Sequence, residues 1–228
     1  MTRSLSNVAG LLAVITVALV LFAARATRGA SRQLPEPAAA TVVDLTAPSA
    51  AEDTAVLAGG CFWGIEAVFE HVKGVKSAVS GYAGGNTANP SYEEVSSGDT
   101  GHAESVQVIY DPAQVSYGKL LQIFFSVGHD PTQLNRQGPD HGTQYRSAIF
   151  YNTPQQQRVA ESYIKQLTVA KTFSRPIVTQ LAKLRAFFPA EEYHQDYLAH
   201  HPNQPYIVIN DQPKVAALKK QFPDIYRN

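Results

Sequence analysis

Apolar residues recur along this chain with two alternating periods, and each switch of period marks an element. Thr54–Gly60 is a short apolar run ending in Gly59-Gly60, the pattern of a buried strand. From Phe62 to about His71 the period becomes helical: Phe62, Ile65, Phe69 and Val72 share one face, with Glu66 and Glu70 on the other. Val75–Tyr82 predicts a strand closed by Gly84-Gly85, and His102–Tyr110 alternates cleanly until Asp111-Pro112 stops it. Tyr117–Val127 reads as a helix, Thr143–Tyr151 as a strand, and Thr153 as the cap of a helix that starts at Pro154. Pro176–Leu184 predicts a further strand, and Pro189–His200 and Pro213–Phe222 predict helices. Helices interspersed with strands over this length predict an α/β (α+β) two-layer sandwich.

The N-terminal fifth has neither period. An almost unbroken apolar run, Val8–Ala24, follows Arg3 and ends in Ala24-Arg25-Ala26, a small-x-small pattern that suits cleavage after Ala26. Its length is at the lower edge of a membrane span, so residues 1–26 are expected to be a signal peptide or a membrane anchor. Export, to a bacterial periplasm or tethered to the membrane by residues 8–24, is the favoured localisation. An organellar presequence fits less well, because such presequences are amphipathic. Residues 27–53, rich in Ala, Pro, Ser and Thr, are expected to be a flexible linker. The folded domain is then 54–228.

Composition narrows the chemistry. Lys plus Arg is 19 and Asp plus Glu is 19, which leaves no electrostatic footprint for nucleic acid. Cys61 is the one cysteine of the 228-residue chain. A disulfide within the chain, a Cys-x-x-Cys redox pair and a zinc site needing two thiolates are therefore excluded. Whatever Cys61 does, it does as a lone thiol.

Its surroundings favour a reactive thiol. Gly59-Gly60-Cys61-Phe62-Trp63-Gly64 puts it where a strand turns into a helix, and a helix N-terminus favours a thiolate. Phe62 and Trp63 supply an apolar wall for a small alkyl group. A buried structural cysteine is the competing reading. In the strand that begins after Gly98-Asp99-Thr100-Gly101-His102-Ala103, Glu104 shares a face with Val106, Val108 and Tyr110. A carboxyl on an apolar face has a raised pKa, the environment of a general acid, unless it escapes to solvent at the strand end. The polar segment Arg136–Arg146 carries Asp140 and Tyr145, with Tyr145 on the face of Ser147 and Ile149, and Tyr92 is a further phenol on a loop. Glu191 and His194 are spaced to share a helix face, but no second cluster completes a metal site, so a structural role is favoured there.

Five blocks together carry a resemblance. Gly60-Cys61-Phe62-Trp63-Gly64, Gly81-Tyr82-Ala83-Gly84-Gly85, Gly98–Glu104, Asp140–Arg146 and Glu192-Tyr193-His194-Gln195-Asp196-Tyr197 resemble, in order, the motifs of the A-type peptide methionine sulfoxide reductases. The resemblance implies a ferredoxin-like plait on a mixed sheet and reduction of the S-epimer of methionine sulfoxide, in oxidised proteins or free. It implies that Cys61 is the nucleophile, that Phe62 and Trp63 hold the substrate methyl group, and that Glu104, Tyr92 and Tyr145 bind and protonate the sulfoxide oxygen. Asp140 matches a residue that helps position that network. No cofactor or metal is implied.

Many family members carry resolving cysteines near the C-terminus, whereas Pro205–Asn210 here has none. A one-cysteine cycle is therefore expected, with an external thiol reductant: thioredoxin, or glutathione with glutaredoxin. We expect a monomer that meets the membrane through its N-terminal segment alone. Three other classes remain open at this point: a thiol peroxidase, which needs a cation near the sulfur; a cysteine hydrolase, which needs a histidine base such as His102, His141 or His194; and a tethered binding module without catalysis.

Overall fold

A computed structural model of the protein describes residues 33–38 and 52–228. The expected targeting segment, 1–26, lies outside the described residues. Eight strands run in chain order: β1 Asp53–Gly59, β2 Val75–Ala83, β3 Ala103–Tyr110, β4 Arg136–Gln137, β5 Asp140–His141, β6 Ser147–Tyr151, β7 Gln180–Lys183 and β8 Phe187–Pro189. The helices are α1 Phe62–Glu70, α2 Tyr92–Ser97, α3 Tyr117–Ile123, α4 Pro154–Val169, α5 Tyr197–His200 and α6 Gln212–Gln221.

Six strands form one sheet in the order β7-β6-β1-β3-β2-β8, and β4 pairs with β5 as a separate hairpin. Pairing is antiparallel except between β6 and β7, where α4 makes the crossover that parallel neighbours require. The inner β6-β1-β3-β2 order is that of a ferredoxin-like plait, as the family resemblance implies.

Helices cover one face of this sheet. Leu57, Val106, Val108 and Ile149 meet Ile65 and Phe69 of α1, Leu120 and Leu121 of α3, and Val159 and Tyr163 of α4 in the main core. Each such fully buried apolar side chain contributes roughly 1.5–3 kcal/mol. The opposite face carries a smaller cluster, Val56, Ala58, Ala103, Ala148 and Phe150, closed by Ala182, Leu184 and Phe187 from the segment around β7 and β8. Thr153 caps α4 by accepting the Gln156 N–H, with Pro154 in the first turn.

Four elements differ from the sequence expectation. Glu66, expected on a polar face, is 1 % exposed and accepts the Ser80 N–H, because α1 is packed on several sides. Residues 143–145 form a 3-10 turn, and the strand starts at Ser147. Tyr92 opens the short helix α2, whose Ser91 and Glu94 form a reciprocal capping box, where a loop was expected. The helix expected over 189–200 is divided. Edge strand β8 pairs with β2, a 3-10 turn spans Glu192–His194, and Asp196 takes a left-handed φ of 51° before α5. Backbone pairing at the sheet edge and the bonds of the Glu191 carboxyl outweigh helix propensity there.

Within the stretch expected to be a linker, residues 33–38 form a strap on the helical layer. Tyr163 donates its hydroxyl to the Pro35 carbonyl at 2.8 Å, and Gln122 donates to the Leu34 carbonyl at 2.6 Å. Lys119 pairs with Glu36. Among the described residues no helix is long and apolar enough to cross a membrane.

Candidate active site

Cys61 is the N-cap of α1, directly after β1. The turn between them needs glycine. Gly60 has φ +92°, and a Cβ there would lie 2.5 Å from the Gln137 side chain. A Cβ on Gly59 would meet the His129 ring at 2.9 Å. That imidazole is half-buried, bonds to the Ser147 hydroxyl at 2.7 Å, and is pushed by desolvation down to a pKa of about 4, so it stays neutral and acts as packing.

The first turn of α1 is tied to β3. The Phe62 N–H donates to Glu104 Oε2 at 3.1 Å, fixing the carboxyl beside the cysteine. Glu104 is 2 % exposed. Burial raises its pKa to about 8, the Asp140 and Asp211 carboxyls add to the rise, and the Phe62 N–H opposes it. At neutral pH Glu104 is mostly a carboxylic acid.

The thiolate expected from the helix N-terminus is overruled. Burial holds the Cys61 thiol well above the usual thiol range, reinforced by the carboxyls of Glu104 and Asp211. Lys214 and the Trp63 N–H pull the other way without prevailing. Loss of hydration outweighs the helix end, because a sulfur anion in this pocket exchanges water for neighbouring carboxyls.

Aromatic rings wall the pocket. Trp63 stacks on Tyr197 at 3.8 Å with 7° between the planes, and meets the edge of Tyr206 at 5.9 Å. The indole N–H donates to His194 Nδ1 at 3.2 Å. An indole can only donate, so Nδ1 is bare, and burial lowers the His194 pKa and keeps that ring neutral. His194 in turn lies against Phe62 at 5.1 Å and Tyr92 at 4.4 Å. Glu191 joins the same wall: it accepts the Tyr82 hydroxyl at 2.9 Å and the Tyr92 N–H at 2.8 Å. Both residues thus brace the pocket, and among the described residues no group of three or more side chains could hold a metal ion.

Tyr92 and Tyr145 are half-buried, and both hydroxyls are raised in pKa by burial first, with Glu104, Asp140 and Cys61 adding to the effect. They remain hydrogen-bond donors at any working pH. Asp140, on β5, accepts the Tyr206 hydroxyl at 2.5 Å, which ties the C-terminal segment to β5. Cys61, Phe62, Trp63, Glu104, Tyr92, Tyr145 and Asp140 are therefore gathered in one place.

Three participants have no motif in the sequence reading: Tyr206, Asp211 and Lys214. Asp211 is fully buried and accepts Lys214 Nζ at 3.0 Å. A cation does act on the sulfur, but it is bound to a carboxylate. The i,i+3 spacing of Asp211 and Lys214 is the one signal that could have disclosed them.

The arrangement holds a nucleophilic sulfur, a neutral carboxylic acid and two phenols around an apolar slot. It suits attack on a centre whose oxygen must be protonated as it leaves. Comparison with known proteins agrees. Residues 53–225 match the family described as peptide methionine sulfoxide reductase. The chain is 59% identical over 174 residues to peptide methionine sulfoxide reductase MsrA 2 of Mesorhizobium japonicum, covering 76% of this chain and 89% of that one. It is 52% identical over 197 residues to the Synechocystis protein of the same name, covering 85% and 90%. Among solved structures it resembles methionine sulfoxide reductase A of Corynebacterium diphtheriae, with TM-score 0.59, 36% identity and coverage of 78% and 87%. Reduced Mxr1 from Saccharomyces cerevisiae gives TM-score 0.62 at 34% identity, covering 67% and 87%.

Proposed function

The chain belongs to the peptide methionine sulfoxide reductases, oxidoreductases that return methionine sulfoxide to methionine, and we propose that it works through a sulfenic acid on Cys61 that an external thiol resolves. The observation that carries this reading is the Phe62 N–H bond to Glu104, which keeps a neutral acid at the edge of the turn that bears the cysteine.

The S-methyl group enters against Phe62 and Trp63, and the sulfoxide oxygen faces Glu104, Tyr92 and Tyr145. A sulfoxide sulfur is a poor electrophile until its oxygen is protonated. Glu104 gives its proton to that oxygen, and the emptied carboxylate takes the proton of the Cys61 thiol. The Cys61 sulfur then bonds to the substrate sulfur, the protonated oxygen passes to the Cys61 sulfur as the S–O bond breaks, and the new S–S bond cleaves with its electron pair on the methionine sulfur, leaving Cys61 as a sulfenic acid. Methionine leaves, reduced by two electrons, and Cys61 is oxidised by two. Asp140 holds Tyr206 and so steadies this wall of the pocket. Only the S-epimer points its oxygen at the donors while its methyl group occupies the slot. Free and protein-bound methionine sulfoxide both present that group.

With no second cysteine in the chain, one external thiol attacks the sulfenic acid and releases water. A second thiol then cleaves the mixed disulfide and restores Cys61. A thioredoxin, or glutathione with a glutaredoxin, fits this role. The apolar run Val8–Ala24 supports export to a bacterial envelope, which mass spectrometry of the mature N-terminus on fractionated cells would test.

A single-turnover assay tests the mechanism. Mixed with an S-sulfoxide peptide and no thiol, the enzyme should yield one methionine per Cys61 and a protein sulfenic acid trapped by dimedone. Sustained turnover without any thiol, or no methionine at all, would overturn it.

A further inference from the structure

Gly64 lies one helical turn after Cys61, and its missing side chain is where two opposite charges sit. A Cβ there would lie 2.2 Å from Asp211 Oδ1 and 2.8 Å from Lys214 Nζ. An N-cap and the residue three positions on share one edge of the first turn, so this ion pair rests on the same edge as the cysteine. Asp211 is fully buried. Its Oδ1 takes the ammonium at 3.0 Å, and its Oδ2 has no hydrogen-bond partner among the described residues. A carboxylate in that position is costly, and a structural pair would satisfy both oxygens. The turn that carries it, Ile207–Asp211, follows directly on Tyr206, whose hydroxyl is held by Asp140.

Two carboxyl groups and one ammonium act on the sulfur. Glu104 comes from β3 and Asp211 from the C-terminal turn, and the phenols of Tyr92, Tyr145 and Tyr206 interact with both the sulfur and the Asp140 carboxyl of β5. Lys214 opposes the two carboxyls. We propose that Lys214 and Asp211 are positioning residues that poise Cys61: the Lys214 ammonium stabilises the sulfur anion as its proton departs, and Asp211 holds the ammonium on the open edge of Gly64 while limiting its pull. The proposal rests on Cys61 being the nucleophile. It adds where the anion formed between deprotonation and attack finds its counter-charge.

Alkylation tests it without any sulfoxide. The full-length protein and the variants Lys214→Met, Lys214→Arg and Asp211→Asn are treated with iodoacetamide over a pH range of roughly 7 to 11, and carbamidomethyl-Cys61 is counted by mass spectrometry. Lys214→Met should alkylate about tenfold more slowly at pH 8, with its midpoint shifted to higher pH. Lys214→Arg should restore the wild-type midpoint. Asp211→Asn, which keeps an oxygen for the ammonium, should shift the midpoint to lower pH. Packing damage would open the pocket and move both variants alike, whereas poising moves them in opposite directions. Midpoints that move together, or not at all, overturn the proposal. If Lys214→Met does not fold, an unchanged or raised midpoint in Asp211→Asn overturns it alone. Failure here leaves the sulfoxide assay above untouched, and failure of that assay leaves the alkylation result standing.

Discussion

The Phe62 amide donates to the Glu104 carboxyl at 3.1 Å, and this bond makes the nucleophile's helix and the acid's strand one rigid unit. It opposes the protonated state that burial favours, yet Glu104 still titrates near 8. The acid is therefore loaded at neutral pH and empties above about pH 8. Glu104→Gln keeps the shape and removes the proton. The reduction step, followed by single-turnover release of methionine, should slow by roughly 10²–10⁴-fold, with an unchanged circular dichroism spectrum. The wild-type rate of that step should decline above pH 8. An unimpaired variant would remove Glu104 from the acid role.

Two glycines with positive φ make a matched pair of tests. Gly60 has φ +92° and its Cβ would collide with Gln137 at 2.5 Å, whereas Gly138 has φ +57° and nothing within 4 Å. Gly138→Ala adds backbone strain alone and should cost about 1 kcal/mol in urea unfolding. Gly60→Ala adds a clash to that strain and should cost about 3 kcal/mol or more. It should also lower the reduction rate, since it displaces Cys61 itself. Equal costs at the two sites would refute the packing contribution.

Much of this was legible in the chain, and the reason lies in where each signal is local. Strand β3 shows by alternation, α4 by Thr153-Pro154, and the cysteine turn by its glycines. The Ser91–Glu94 capping box was also in the sequence, but α2 spans six residues, too short to show a hydrophobic period. The segment 189–200 has helical composition, and only the arrival of β2 alongside Phe187–Pro189 explains why it is broken. Lys214 and Asp211 meet Gly64 through tertiary packing, which no local pattern encodes. The protonated thiol was misjudged for the same reason: the helix end is local, and the burial that overrides it is not.

Glu66 carries a pH signature of its own. Burial raises its pKa from 4.5 to about 7, with the Ser80 N–H opposing. The unfolded chain releases this proton near pH 4.5 while the native state retains it, so native stability is lost as pH rises through about 7. Glu104 acts in the same direction up to about 8. Replacing Glu66 by Gln removes its share, about 3 kcal/mol once both states are ionised. Urea midpoints of the wild type should fall between pH 5 and 8, and those of Glu66→Gln should fall distinctly less. Parallel declines would show that Glu66 does not titrate in this range.

The strap at residues 33–38 sets where the stable domain begins. Tyr163 is fully buried, its hydroxyl reaches the Pro35 carbonyl, and Gln166 donates to the Glu36 carbonyl while accepting the Ala38 N–H. Leu34 packs on the main core. A chain begun at Gln33 keeps all of these contacts. One begun at residue 39 loses them, exposing apolar surface and leaving the Tyr163 hydroxyl without its acceptor. At about 1 kcal/mol for each of four lost hydrogen bonds plus the partial burial of Leu34, the shorter chain should be weaker by about 5 kcal/mol. Its melting temperature should fall by roughly 10–20 °C relative to the longer one. Tyr163→Phe in the longer chain should reproduce about a fifth of that loss. Identical melting curves for the two lengths would place the boundary at β1, where the change of hydrophobic period first suggests it.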